Sequence, residues 1–130
     1  MTITYEDIIK AQETQSDVIR KTSLSFSATF SKICGANVYL KNEYEQKTGS
    51  FKIRGALNFI SQSKNQDFVA PSSGNHAQGV AAAARLYNKN STLVMPSDAP
   101  LSKIQGVKFY GGNIISVSYT HLTLPTNREV

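Results

Sequence analysis

From Phe68 onward the chain alternates short apolar runs with longer segments of helical character. Phe68-Val69-Ala70, Ser91-Thr92-Leu93-Val94-Met95 and Asn113 to Val117 read as strands, the second ended by Pro96. Between them, Asn75 to Leu86 is an alanine-rich helix and Leu101 to Tyr110 a second helix, broken by Gly111-Gly112. Strand, helix, strand, helix, strand with short connections predicts right-handed crossovers and a parallel sheet flanked by helices. The expected fold class is therefore α/β.

Upstream, Thr4-Tyr5-Glu6-Asp7 has the form of a capping box opening a helix that carries Ile8, Ile9 and Ala11 and runs to about Val18. The pattern predicts a short helix over Ser25 to Cys34, stopped by Gly35 in a left-handed cap. Asn37 to Lys41 is expected as a strand and Glu43 to Gly49 as a polar loop. Ser50 is placed to cap a helix running through Leu57, Phe59 and Ile60. After Val117 the periodicity stops: Ser118 to Val130 has no helical period, and Pro125 argues against a central strand.

Composition narrows this picture. A length of 130 residues with 40% hydrophobic content suits one small globular body, and no apolar run spans a bilayer. The first residues lack the basic and then apolar stretches of a secretory signal. A single cysteine, Cys34, excludes an internal disulfide framework and fits a reducing, cytoplasmic setting. With two histidines far from that cysteine, no metal centre is expected. The net charge of +5 comes from 14 basic residues scattered among 9 acidic ones, a mixed-charge surface and not a nucleic-acid track.

Two stretches carry candidate chemistry. Lys52 lies in Ser50-Phe51-Lys52-Ile53-Arg54-Gly55-Ala56, just inside a predicted helix start. Most helical lysines are surface charges. Here the helix dipole, Arg54 and partial burial would all disfavour the ammonium form, leaving the neutral amine that carbonyl addition needs. The second stretch, Ser72-Ser73-Gly74-Asn75-His76-Ala77-Gln78-Gly79, follows a strand and opens a helix. Backbone N–H groups from Ser73 to His76 can converge there on an anion, at the carboxyl end of a strand where ligands of open α/β sheets bind. An ordinary capped turn explains the same residues equally well. A serine hydrolase is disfavoured, because Gly-x-Ser-x-Gly is absent and no acidic residue is placed to orient His76.

Thr48 to Ala56 and Ser72 to Ala81 closely resemble the serine/threonine dehydratases (threonine ammonia-lyases), a branch of the fold-type II pyridoxal-phosphate enzymes. Val94-Met95-Pro96, Ala99-Pro100 and Lys103 resemble the family's next landmark, and Arg20-Lys21-Thr22 and Val38 to Glu43 its preceding segments. The resemblance runs from about Ile3 to Val117 and implies a partial tryptophan synthase β-like fold with pyridoxal 5'-phosphate as cofactor. It implies that Lys52 is the Schiff-base lysine that also takes and returns the α-proton, with Phe51 packed against the cofactor and Asn75 bonded to its pyridine hydroxyl. Ser72, Ser73, Gly74, Asn75 and His76 would hold the substrate carboxylate, and Ser73 would be the second catalytic group if the enzyme racemises. The implied reaction is α,β-elimination from L-threonine or L-serine, giving a 2-oxo acid and ammonia.

The expected organisation is residues 1–60 from a larger cofactor-binding domain, 61–117 from a smaller α/β domain, and 118–130 as a non-native or disordered tail. The family's glycine-rich phosphate loop and the residue facing the pyridine nitrogen belong beyond Val117, so the chain is expected to be an inactive fragment of a homo-oligomeric parent. Ser23 replaces the family's usual proline. Serine racemase is the nearest alternative enzyme, and a non-catalytic remnant the alternative of another class. No nucleic-acid or membrane partner is expected.

Overall fold

The computed structural model describes residues 2–15 and 17–118. It begins with helix α1 (Tyr5–Gln15). The capping box forms as expected: the Thr4 N–H donates to Asp7 Oδ2 at 2.9 Å, and the Asp7 N–H donates to Thr4 Oγ1 at 3.3 Å. The bonds that Oδ2 accepts from the Thr4 N–H and, at 3.0 Å, from the Thr4 hydroxyl hold the Asp7 carboxyl below its usual range. The helix stops at Gln15 and not at Val18, because the Val18 and Ile19 N–H groups both turn back onto the Gln15 carbonyl at 3.0 Å.

The segment expected as one helix from Ser25 to Cys34 divides in two. Leu24–Phe26 is strand β1, and helix α2 occupies only Ala28–Cys34. Ser27 is the better cap: its extended backbone lets Oγ accept from the Phe30 N–H at 3.3 Å. The three residues before it find a partner that local pattern cannot show. They pair antiparallel with β2 (Tyr39–Lys41), in the register Leu24↔Lys41 and Phe26↔Tyr39. An edge-to-face contact at 5.5 Å joins the Phe26 and Tyr39 rings across that pair. Gly35 closes α2 at φ 65°, the left-handed conformation its lack of a Cβ permits. A 3-10 turn (Glu43–Glu45) and a loop then lead to α3 (Lys52–Gln62).

The rest follows the predicted alternation: β3 (Asp67–Pro71), α4 (Asn75–Leu86), β4 (Asn90–Pro96), α5 (Leu101–Phe109) and β5 (Asn113–Val117). The three strands form one parallel sheet in the order β3-β4-β5, with Asp67 opposite Asn90 and Thr92 opposite Asn113. Ile53, Ala56, Leu57 and Ile60 lie on one face of α3, at the three- and four-residue spacing of a helical stripe. They are buried together with Ala77, Val80, Ala81 and Ala84 of α4, whose small side chains let the two helices approach closely. α3 runs continuously through residue 60, and this packing ties it to the sheet-bearing half of the chain. No helix among the described residues is long and apolar enough to cross a membrane.

Beneath α4 the core is closed by Leu93 and Met95 of the central strand and Val107 of α5, all essentially inaccessible. Gly112 fits only because it lacks a side chain: a Cβ there would approach Leu93, Val107 and Ala81 to 2.9–3.0 Å. Leu93→Ala is therefore expected to destabilise the chain by about 2–5 kcal/mol, the range for a buried leucine whose surroundings cannot collapse. Urea titration followed by circular dichroism measures it.

Candidate active site

The loop before Lys52 is held from three sides. Gln46 is buried and grips the Arg20 backbone twice, accepting its N–H at 3.2 Å and donating to its carbonyl at 2.7 Å. Gly49 reverses the chain at φ 71°, with its N–H donating to the Gln46 carbonyl at 2.8 Å. From the far end of α5, the Tyr110 hydroxyl donates to the Lys47 carbonyl at 2.9 Å. Phe51 occupies the capping position in a helical conformation, and the Ser50 hydroxyl accepts from the Lys52 N–H at 3.4 Å. The expected cap is thus displaced by one residue, and Lys52 is the first residue of α3.

Two of the features expected to act on Lys52 differ in the structure. Lys52 is exposed, with Nζ lying 5.0 Å from the centroid of the Phe51 ring. Arg54 does not offer it a bare positive charge, because its guanidinium makes two bonds of 2.8 Å to the Glu43 carboxylate. Glu43 also accepts from Thr22 Oγ1 at 2.7 Å. The Arg54 hydrogen bonds are the main reason the Glu43 carboxyl is lowered from 4.5 to about 2.

A carboxyl with a lowered folded-state pKa stabilises above its unfolded value and loses that contribution as pH falls towards the folded one. The Glu43–Arg54 contribution is therefore complete above about pH 4.5 and fades towards pH 2. Arg54 is 37% exposed, so solvent screening reduces the full linkage value to about 1–2 kcal/mol. Glu43→Gln is expected to lower stability by that amount at neutral pH and to flatten the dependence between pH 4.5 and 2; acid titrations of both proteins, followed by circular dichroism, test this.

The second stretch sits at the carboxyl end of β3. The Ser72 N–H continues the ladder to the Val94 carbonyl at 3.1 Å, while the Ser72 hydroxyl accepts from the Gly74 N–H at 3.3 Å. One expected anion donor, the Gly74 N–H, is thereby engaged inside the turn. α4 opens at Asn75 with Gly74 before it and no side-chain cap. The N–H groups of Asn75, His76 and Ala77, in the first turn, have no acceptor within the helix, and the positive end of its dipole is open there. Ser73 is exposed, and among the described residues its hydroxyl has no hydrogen-bond partner.

The two stretches meet through Gly79. A Cβ there would lie 3.2 Å from the Lys52 carbonyl carbon and the Ile53 nitrogen, so α4 touches the backbone at the start of α3. This contact brings Lys52 near His76. The His76 imidazole is lowered from its usual range, first by partial shielding of the ring and then by the Lys52 charge. His76 also borders a hollow of about 180 Å³ between α3, α4 and β3, which includes Gly55, Phe59 and Val69. A larger hollow of about 430 Å³, between Val18, Lys47, Leu86 and Tyr110, is bordered by none of the candidate residues.

Three features escaped the residue pattern as site elements. Gly79 makes the close approach just described; a glycine inside an alanine-rich helix is the signal that could have marked it. Lys103, which sequence marks only as part of a landmark, donates from Nζ to Asn75 Oδ1 at 2.5 Å. A cation in the first turn of a helix, where the dipole opposes it, was the available sign. Thr48 Oγ1 is buried and without a partner among the described residues; in sequence Thr48 stands only as the first residue of the stretch that resembles the family, with no role attached.

Comparison with known proteins gives this arrangement its family. The model of the family described as "Pyridoxal-phosphate dependent enzyme" matches residues 15–128, which reaches into the stretch from 118 to 130 expected as a non-native tail. Residues 119–130 lie outside the described residues. The chain is 48% identical over 117 residues to the L-threonine ammonia-lyase of Thermotoga maritima, covering 87% of this chain and 29% of that protein. It is 44% identical over 115 residues to the L-threo-3-hydroxyaspartate ammonia-lyase of a Pseudomonas species, covering 85% of the chain and 36% of the relative. The crystal structure of serine racemase from Dictyostelium discoideum superposes with a TM-score of 0.83 at 35% identity, covering 92% of this chain and 41% of that one. The chain thus spans about a third of the length of these curated relatives. With the lysine, the turn and the parallel sheet in the family's order, the chain belongs to the pyridoxal-phosphate dependent enzymes of fold type II, alongside their ammonia-lyases.

Proposed function

We propose that the protein is an L-threonine/L-serine ammonia-lyase, and that this chain supplies its Schiff-base lysine and its substrate-carboxylate turn. The observation that supports the reading is the backbone contact at Gly79, which joins α4, one turn from its open end, to the start of α3 at Lys52. The residues fit the cofactor's chemistry. Lys52 offers a solvent-reachable primary amine, Asn75 an amide whose oxygen is already engaged by Lys103, and the first turn of α4 its unpaired N–H groups. Gly79 leaves the close approach that a Cβ would fill.

When bound, pyridoxal phosphate supplies an electron sink for the charge left at Cα. This chain's residues do the rest. The α4 N–H groups and the hydroxyls of Ser72 and Ser73 receive the substrate carboxylate and fix which Cα bond faces Lys52. The Lys52 amine takes the α-proton and, as the ammonium so formed, gives it up as the β-hydroxyl departs, so that H from Cα and OH from Cβ leave together as water. The resulting enamine, once released, hydrolyses to a 2-oxo acid and ammonia. Partial shielding, and then the Lys52 charge while that amine is protonated, both disfavour a charged His76 imidazole. Phe51, 56% exposed in front of Lys52, offers an apolar face for the cofactor ring.

Ser73 motivates a second reading. Its hydroxyl, unlike that of Ser72, takes no part in the turn and is open to return a proton to the opposite face of Cα, as a racemase requires. Product analysis with L-threonine and L-serine in the presence of pyridoxal phosphate decides. 2-Oxobutanoate from threonine supports the ammonia-lyase, and D-serine without 2-oxo acid the racemase. Neither product would leave this chain a non-catalytic member of the family.

A further inference from the structure

Asn75 is the group whose contribution depends most on orientation. A side-chain amide presents an acceptor on one side and two donors on the other, with nearly the same shape, so its neighbours decide which side faces a ligand. Lys103 removes that freedom. An ammonium can only donate, and Nζ lies 2.5 Å from Asn75 Oδ1. The same Nζ is 3.5 Å from Gln78 Oε1, one turn further along α4.

Gln78 is itself held by α5. A Cβ at Gly106 would come within 1.9 Å of Gln78 Nε2, so the amide rests where only glycine leaves room. Its nitrogen lies over Gly106 and its oxygen faces Lys103. Lys103 also lies in the first turn of α5, and its ammonium meets the first residue of α4. Both helix dipoles oppose a cation there. The placement does little for the stability of either helix, whereas it suits a ligand that brings negative charge.

We propose that Lys103 is a positioning residue that locks the Asn75 amide with its oxygen turned to the ammonium and its NH2 turned to the ligand, so the site selects an oxyanion and not a hydroxyl at that point. The inference rests on the functional reading above, in which Asn75 meets the ring oxygen of pyridoxal phosphate. A donor there favours the deprotonated ring oxygen, and the Lys103 charge behind the amide reinforces that preference. If the amide turned over, its acceptor oxygen would favour the protonated form.

The test compares the wild-type chain with Lys103→Arg and Lys103→Glu, each loaded with pyridoxal phosphate and titrated by absorption spectroscopy for the protonation of the ring oxygen. In parallel, borohydride reduction and peptide mapping record whether Lys52 carries the cofactor. Lys103→Arg keeps a donor behind Asn75 and is expected to titrate as wild type does. Lys103→Glu presents an acceptor, turns the amide over, and is expected to raise the apparent pKa by about one unit or more. In an Asn75→Ala background the same exchange is expected to lose most of its effect, because the charge then has no amide to orient.

A shift that persists undiminished without Asn75 would show Lys103 acting as a remote charge, and would overturn the proposal. Identical titrations in all three chains with Lys52 labelled would overturn it too. Absence of label on wild-type Lys52 would instead remove the functional reading, and this inference with it. If Lys103→Glu fails to fold, the unloaded chain provides the answer by NMR: Asn75 side-chain amide signals should move in Lys103→Met and stay in place in Lys103→Arg. Signals unmoved in Lys103→Met would overturn the lock.

Discussion

Replacing Lys52 with alanine is expected to abolish cofactor capture and to lower any elimination activity by at least ~10³-fold, because nucleophile and base are lost together. Lys52→Arg should fail nearly as completely. It keeps the positive charge beside His76, but a guanidinium stays protonated and cannot add to an aldehyde. Stability should barely change, since Lys52 is exposed and its recorded side-chain contact is the one with the Phe51 ring at 5.0 Å. That contact is worth about 0.5–1 kcal/mol at an exposed site. Unchanged melting with lost capture separates a chemical role from a structural one. A Lys52→Ala chain that still forms 2-oxobutanoate would place the chemistry elsewhere.

The second large effect is expected at Gly79. Alanine there must displace backbone and not a flexible side-chain tip, with the Ile53 nitrogen and the Lys52 carbonyl carbon both at 3.2 Å and the Lys52 carbonyl oxygen at 3.3 Å. Elsewhere in a helix, glycine to alanine is stabilising by about 1 kcal/mol. Here the overpacking term of about 1–3 kcal/mol opposes that gain, so the net stability change should be small or unfavourable. The functional effect should exceed it. Easing the contact moves the first turn of α3 away from α4, and with it Lys52 from His76. Small misplacements of reacting groups cost about 10²-fold in rate. Gly79→Ala should therefore retain most of its stability while losing most of its Lys52 labelling by pyridoxal phosphate. Labelling at the wild-type rate would show that the contact does not position the lysine.

What the sequence disclosed and what it withheld divide along physical lines. α4 and β5 have the ends expected of them, and β3, β4 and α5 differ by one or two residues, because local periodicity and Gly or Pro stops define those elements. Two of the three residues of β1, Ser25 and Phe26, fall inside the predicted helix, since the partner β2 begins thirteen residues downstream of Phe26 and only the pairing makes Leu24–Phe26 a strand. Lys52, Ser72, Ser73 and Asn75 stood out through their neighbours in sequence. Their surroundings did not. Proximity in sequence makes Arg54 a charge acting on Lys52, whereas in the fold it is engaged by Glu43, the first residue of the expected polar loop. Lys103 reaches Asn75 across 28 positions of sequence, and Gly79 meets Lys52 across two helices. Such contacts arise only when the chain has folded.

If the two stretches make one site around Lys52, pyridoxal phosphate should choose that lysine over the others. The chain holds several other lysines, among them Lys47, Lys89 and Lys103, so selectivity is the measurement that bears on it most directly. Incubation with pyridoxal phosphate, borohydride reduction and peptide mapping should find the label concentrated on Lys52, with Lys103 unlabelled because its ammonium is engaged by Asn75 and Gln78. Label spread evenly over the surface lysines would contradict the account.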